Sequence, residues 1–221
     1  MNNRIKVMLV DDHAVVRAGF RMLLSTDDMI EVIAESDRGE VVCQLYLEKK
    51  PDVVVLDLSM PGIGGLETTR RICTRNSDAK VLVFSVHNER VYVDRAMNAG
   101  AKGYITKQSH PEIIIAAIKK IAQGETYIEP ALINHDDVSI LLERRSAKYV
   151  DYRVIIESFS AREFDVFLLL AKGLTAHKIA DELCIGYKTV ANYGTQIRSK
   201  LNVSTVAELT HIALVSGIVK N

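Results

Sequence analysis

Pro51-Asp52-Val53-Val54-Val55-Leu56-Asp57-Leu58-Ser59-Met60-Pro61-Gly62 is the stretch that decides the fold. An unbroken apolar run of strand length, bounded by proline on both sides, reads as a strand buried on both faces, as in a parallel sheet. It ends in a carboxylate, Asp57, at the strand end where open α/β sheets place ligands. Three more runs have this form: Ile5-Lys6-Val7-Met8-Leu9-Val10 ends in Asp11-Asp12, Val81-Leu82-Val83-Phe84 in Ser85, and Gly103-Tyr104-Ile105-Thr106 in Lys107. Parallel strands end on one edge, so three carboxylates, a hydroxyl and an ammonium are delivered to one place.

Working outward, helical periodicity over residues 14–24, 39–49, 65–75, 89–98 and 111–123 alternates with these runs and with a short strand at 31–35. Pro111 suits a first helical position, and Gly100 a C-terminal cap. The alternation predicts an α/β domain over residues 1–123, a doubly wound (flavodoxin-like) five-stranded parallel sheet with helices on both faces. Residues 124–156 lose the rhythm and read as a linker, with one short helix expected over 138–145. From 157 to 221 the pattern is all-α, with four helices. Ser160 with Glu163, and Thr205 with Glu208, are capping boxes. The turn Cys184-Ile185-Gly186 before a helix at 187–201 has the form of a helix-turn-helix.

The 221 residues, 48% hydrophobic and 25% charged, have the composition of a soluble globular chain of one large or two smaller domains. With 28 basic and 28 acidic residues the chain has no excess charge for coating nucleic acid indiscriminately, though a local basic surface is compatible with that balance. No run has the roughly 18 apolar residues a membrane span needs, and no signal-peptide pattern opens the chain. Cys43, Cys73 and Cys184 are far apart and form neither a metal spacing nor an even disulfide framework. Reduced thiols and a cytoplasmic location are expected, with no membrane partner.

The strand-end chemistry suits Mg²⁺ and a phosphoryl group. Mg²⁺ takes oxygen ligands, commonly one or two carboxylates together with water and phosphate oxygens. Asp11, Asp12 and Asp57 supply the carboxylates, and a cation or Lys107 relieves their repulsion. A carboxylate is also a nucleophile towards phosphorus. Ser85 is placed to donate to a phosphoryl oxygen.

Asp11-Asp12-His13, Asp57-Leu58-Ser59-Met60-Pro61 with Gly65-Leu66-Glu67, Ser85, and Gly103-Tyr104 before Lys107 resemble a response-regulator receiver domain. Ser160-Ala161-Arg162-Glu163, Lys178-Ile179-Ala180, Lys188-Thr189-Val190 and Lys200-Leu201-Asn202-Val203 resemble the DNA-binding domain of the NarL/FixJ (LuxR-type) two-component regulators, of the GacA/UvrY type. The resemblance implies a phosphorylation-activated transcriptional regulator rather than an enzyme. Asp57 would be the phosphoacceptor. Asp12, Asp57 and the backbone carbonyl of Ser59 would bind Mg²⁺ directly, and Asp11 mostly through water. Lys107 would pair with the phosphoryl group, Ser85 would swing towards it, and Tyr104 would turn inward. The surface over residues 89–123 would change shape and engage a partner. A histidine kinase or phosphotransfer protein, double-stranded DNA and a phosphorylation-dependent homodimer are the implied partners. The family often has proline after the lysine; Gln108 stands there in this chain.

The helix at 187–201 is the candidate reader of DNA. Lys188, Arg198 and Lys200 carry its charge, and Thr189, Tyr193 and Thr195 add hydroxyls, a mixture suited to phosphate anchoring. By resemblance Ala191, Asn192 and Thr195 face the major groove, while Lys178, Lys188, Tyr193 and Lys200 meet the backbone. Val190, Ile197 and Leu201 are expected in the core. Gly186-Tyr187, Ala191 and Tyr193 depart from the family's Ser-Pro, Lys and His at those places. Two other classes stay open on the sequence: a hydrolase with Asp57 as nucleophile and Glu67 or His87 as acid/base, and a signalling module whose output is protein binding.

Overall fold

The computed structural model of the chain describes residues 4–133 and 152–219. They fall into two compact units divided after Ile133. In the first unit the strands are β1 (Ile5–Val10), β2 (Ile30–Ser36), β3 (Val53–Leu56), β4 (Val81–Ser85), β5 (Gly103–Thr106) and β6 (Tyr127–Ile128). The helices are α1 (Ala14–Leu24), α2 (Val42–Lys49), α3 (Gly64–Arg75), α4 (Arg90–Asn98), α5 (Pro111–Ala122) and α6 (Pro130–Ile133). All strand pairs are parallel, in the order β2-β1-β3-β4-β5-β6.

The apolar run of β3 explains its central place. Val53 and Val55 enter a cluster with Phe20 and Leu24 of α1 and Ile118 of α5. Val54 and Leu56 enter the opposite cluster, with Val42 of α2 and Ile72 of α3. Burying each such side chain contributes about 1.5–3 kcal/mol, so a strand loaded on both faces is drawn to the middle of the sheet. β1 and β3 are neighbours although β2 lies between them in sequence, and the chain leaves their ends in opposite directions. That switch point opens a crevice beyond the strand ends. The ladder runs on into it: the Asp57 amide donates to the Val10 carbonyl (2.8 Å) and the Asp11 amide to that of Ser36 (3.1 Å).

Gly65 lets α3 begin against this edge. A Cβ there would lie 2.1 Å from the Asp57 carbonyl oxygen and 2.5 Å from the Leu58 Cα. Both are backbone atoms and cannot rotate away. Gly65→Ala is therefore expected to cost about 2–3 kcal/mol, as overpacking does, seen as a lower denaturant midpoint at unchanged m-value. A midpoint equal to wild type would show that the strand end can move.

The expected five strands are corrected to six. Tyr127 and Ile128 pair with Gly103 and Tyr104. The Tyr127 amide donates to the Lys102 carbonyl (2.9 Å) and that of Glu129 to Tyr104 (3.0 Å). Two residues carry no alternation to read, so the strand left no mark on the sequence. The stretch read as linker thus opens with a strand along β5 and with α6 packed against α4. The helix expected over 138–145 lies outside the described residues.

In the second unit the helices are α7 (Tyr152–Glu157), α8 (Ala161–Ala171), α9 (Ala176–Glu182), α10 (Tyr187–Leu201) and α11 (Val206–Val215). Both capping boxes form in full: Ser160 and Glu163 close α8, and Thr205 and Glu208 close α11. Phe164, Phe167, Ile179, Val190, Ile197, Leu201 and Leu209 are buried between the helices. Among the described residues the four expected helices are joined by a fifth, the short α7, whose Ile156 is buried.

Candidate functional site

At the switch point Lys107 bridges two buried carboxylates. Its Nζ donates to Asp11 Oδ2 at 2.7 Å and to Asp57 Oδ2 at 2.9 Å. The other oxygens are held by backbone: Asp57 Oδ1 accepts from the Ser59 amide (3.2 Å), and Asp11 Oδ1 from that of His13 (2.8 Å). Asp57 is 1% exposed. Burial pushes its pKa above the ordinary carboxylate value, and the hydrogen bond and charge of Lys107 only partly offset this. Burial works against the Lys107 charge too, but its bonds to Asp11 and Asp57 outweigh it and hold the ammonium above its ordinary value.

Asp11, Asp12, His13 and Asp57 offer ligand atoms all within 4.8 Å of one another. Asp12 Oδ1 is buried and accepts no hydrogen bond among the described residues. His13 Nδ1 stands 2.9 Å from it, an ion pair only when that ring is protonated. An orphaned buried carboxylate oxygen beside two more carboxylates is a donor set that fits a hard divalent cation.

The other expected residues surround this core. Ser85 is fully buried, and its Oγ accepts from the His87 amide (3.2 Å). Tyr104, expected to turn inward on activation, is already fully buried and donates to the His87 carbonyl (2.9 Å). Burial pushes its phenol pKa well up. Ser59 Oγ lies 3.1 Å from His87 Nε2, and the His87 ring stacks on Tyr92. Glu67 is chelated by Arg70 and Arg71, each at 2.7 Å, and the Arg70 hydrogen bond keeps its pKa below the ordinary range. Its carboxylate is thus engaged by two arginines of its own helix.

Sequence reasoning missed Glu129. It is buried, and its Oε2 accepts from the Thr106 amide (3.0 Å), the Thr106 hydroxyl (3.2 Å) and the Ser109 hydroxyl (2.6 Å).

On α10 the expected split of faces is present. Lys188, Thr189, Ala191, Asn192 and Thr195 are exposed; Tyr193 and Arg198 are half-buried; Val190, Gly194, Ile197 and Leu201 are buried. Thr195 Oγ1 donates back to the Ala191 carbonyl (3.0 Å). Lys178 is exposed on α9. Lys200 binds Glu163 at 2.7 Å and lies over the Phe159 ring, so its charge is engaged within the unit. His177 stacks on Tyr187 at the mouth of α10, with ring centroids 4.4 Å apart; no sequence signal pairs two aromatic rings across a turn.

Residues 7–119 match the response regulator receiver domain, and residues 157–213 match the bacterial regulatory proteins of the luxR family. The response regulator UvrY of Escherichia coli (strain K12) is 36% identical over 215 residues, covering 97% of this chain and 95% of that protein. GacA of Pseudomonas aeruginosa is 37% identical over 215 residues, covering 97% and 98%. The crystal structure of a LuxR-family two-component response regulator from Aurantimonas sp. SI85-9A1 matches with a TM-score of 0.58 at 37% identity, covering 65% of this chain and 100% of that one.

Proposed function

The chain belongs to the two-component response regulators that join a receiver domain to a luxR-type helix-turn-helix, and from that premise we propose that a histidine kinase or phosphotransfer protein phosphorylates Asp57, and that the phosphorylated chain pairs and binds promoter DNA. The receiver and the DNA-binding domain together make a phosphorylation-dependent regulator of transcription. The observation that supports Asp57 in particular is its Oδ2 held 2.9 Å from Lys107 at the switch point.

Asp57 attacks the phosphorus of a donor phosphoimidazole. The Asp57 O–P bond forms, the P–N bond breaks, and its electron pair returns to the ring nitrogen. Lys107, already beside the nucleophile, follows the negative charge onto the phosphoryl oxygens. Ser85, which now accepts from the His87 amide and lies against the Tyr104 hydroxyl, would turn its own hydroxyl towards a phosphoryl oxygen. Asp11, Asp12, Asp57 and the Ser59 carbonyl would hold Mg²⁺, which when bound neutralises charge on the transferring group. No described helix is long and apolar enough to cross a membrane.

Lys188, Thr189, Ala191, Asn192 and Thr195 form the DNA-reading face, with Lys178, Tyr193 and Arg198 at its margin. Asn192 is suited to adenine and Ala191 to a thymine methyl. Lys200 reaches phosphate only by leaving Glu163. One small reader makes few contacts, so pairing on a two-fold site raises both affinity and specificity.

The test is selection from a random DNA pool at fixed salt, with and without Mg²⁺ and beryllofluoride as phosphoryl mimic, with Asp57→Asn alongside. A paired half-site enriched by the mimic in wild type alone supports the reading. Enrichment indifferent to the mimic uncouples DNA binding from Asp57, and no enrichment in either state favours a protein-binding output. On the selected site, Asn192→Ala is expected to cost about 1–3 kcal/mol and to relax preference at one base pair. Lys188→Ala should weaken all sequences alike and lower the salt slope by about one. Equal behaviour of the two variants would overturn the division of roles.

A further inference from the structure

Lys107 lies on a loop that in many receivers is followed by proline, and here Gln108 follows instead. Among the described residues no peptide bond is cis. The loop in this chain is held by bonds within it and by a carboxylate beyond it. Thr106, immediately before Lys107, pairs in register with Ser85, and the Lys107 amide donates to the Ser85 carbonyl at 2.7 Å. Beyond Lys107, Ser109 turns back: the Thr106 amide reaches its Oγ at 3.1 Å. Both residues then converge on one oxygen, Glu129 Oε2, through the amide and hydroxyl of Thr106 and the hydroxyl of Ser109.

Glu129 is 8% exposed. A carboxylate is taken from water only where several donors replace the hydration it loses. It belongs to the stretch that carries the chain out of the first unit, between β6 and α6. Its own amide donates to Tyr104, the residue two before Thr106, and its carbonyl accepts from Leu132. Glu129 therefore grips β5 and the Lys107 loop with its side chain and main chain while starting α6.

We propose that Glu129 is a positioning residue for phosphoryl transfer: it fixes the loop that presents Lys107 to Asp57, and it ties the state of that loop to the stretch leading towards the DNA-binding unit. The inference rests on Asp57 being the phosphoacceptor. Lys107 is useful only if its ammonium is already in place when charge develops on the phosphoryl oxygens. A loop without its clamp holds the ammonium less well. Conversely, any shift of Thr106 or Ser109 as Lys107 follows the phosphoryl group must be accommodated at Glu129 Oε2. Linkage makes that coupling reciprocal: what loosens the clamp biases the site, and what changes the site loosens or tightens the clamp.

The experiment follows phosphoryl uptake by the full chain from acetyl phosphate with Mg²⁺ in wild type, Glu129→Ala, Glu129→Gln, Ser109→Ala and Asp57→Asn. Thermal midpoints and amide exchange over residues 127–129 are read alongside. Uptake is expected to slow about tenfold in Glu129→Ala and about threefold in Ser109→Ala, in keeping with hydrogen bonds lost from a charged acceptor. Glu129→Gln, which keeps an acceptor oxygen, should recover most of the rate, which a role confined to overall stability does not predict. Exchange over 127–129 should change on uptake in wild type and stay unchanged in Asp57→Asn. A Glu129→Ala rate within about twofold of wild type, or exchange indifferent to uptake, overturns the proposal. Should Glu129→Ala fail to fold, Ser109→Ala, which leaves the carboxylate in place, decides the matter. Equal uptake by wild type and Asp57→Asn would instead overturn the choice of phosphoacceptor, and the positioning role with it.

Discussion

Asp57→Asn is expected to take phosphoryl uptake from one group per chain to none, and to leave the fold at least as stable as before. The first half follows from chemistry: an amide oxygen is a poor nucleophile towards phosphorus, and the neighbouring carboxylates Asp11 and Asp12 are expected to hold the cation rather than to accept the phosphoryl group. The second half follows from burial. Asp57 is 1% exposed, and loss of hydration pushes its pKa above the ordinary value despite Lys107. A carboxyl with a raised folded-state pKa binds its proton more tightly in the native state than in the unfolded chain. Its contribution therefore favours the fold below the ordinary carboxylate value and declines as pH rises through the raised value. At neutral pH the ionised group costs stability, and asparagine does not carry that cost. The change is expected to be small and not a loss, since Lys107 retains Asp11 and is not left as an uncompensated buried charge. Mass spectrometry after exposure to acetyl phosphate and urea unfolding at pH 5 and pH 8 check both halves. An adduct of equal yield in the variant, or a loss of several kcal/mol, would contradict this account.

Lys107→Ala should do the opposite to stability. Its side chain is 13% exposed and stands between Asp11 and Asp57. Without it two buried carboxylates face each other with no cation, and breaking a buried pair from one side costs about 3–5 kcal/mol. Lys107 has a raised pKa, so in wild type its contribution is present below the ordinary lysine value and is lost only as pH climbs through the raised one. Between pH 5 and pH 8 it stays charged. Any pH dependence the variant acquires in that window belongs to the groups that Lys107 leaves behind, Asp57 foremost. Asp57 loses the hydrogen bond and charge that had held its pKa down, so the deficit should be largest at pH 8 and shrink towards pH 5. Mg²⁺ should also shrink it by supplying the missing positive charge. Phosphoryl uptake should fall about 100-fold or more, the usual effect of removing one electrostatic stabiliser. A deficit indifferent to both pH and Mg²⁺ would mean that Lys107 acts by packing alone.

The residues at stake in both variants were legible because each sits one step beyond an apolar run. Val53–Leu56 had to be a buried strand, so Asp57 had to lie at its end, and the same reading placed Asp11, Ser85 and Lys107. The capping boxes at Ser160 and Thr205 were legible for a like reason: cap and partner are three residues apart. What escaped was short or distant. Tyr127 and Ile128 make a strand too brief to alternate. Glu129 is buried by hydroxyls and an amide from residues 20 and 23 positions away, and nothing local separates it from a solvated linker carboxylate. Lys200 read as a phosphate contact because a basic residue on a reader helix usually is one; its pairing with Glu163 spans two helices and is set by packing.

His87 gives both halves of its main chain to two residues beside Asp57: its amide proton to Ser85 and its carbonyl oxygen to Tyr104. The two side chains thus share one short piece of backbone. On the proposed function, in which Ser85 and Tyr104 respond to the phosphoryl group, this shared segment would make the two side chains move together. A graded cellular response would then be built by counting switched copies rather than by bending each one part of the way.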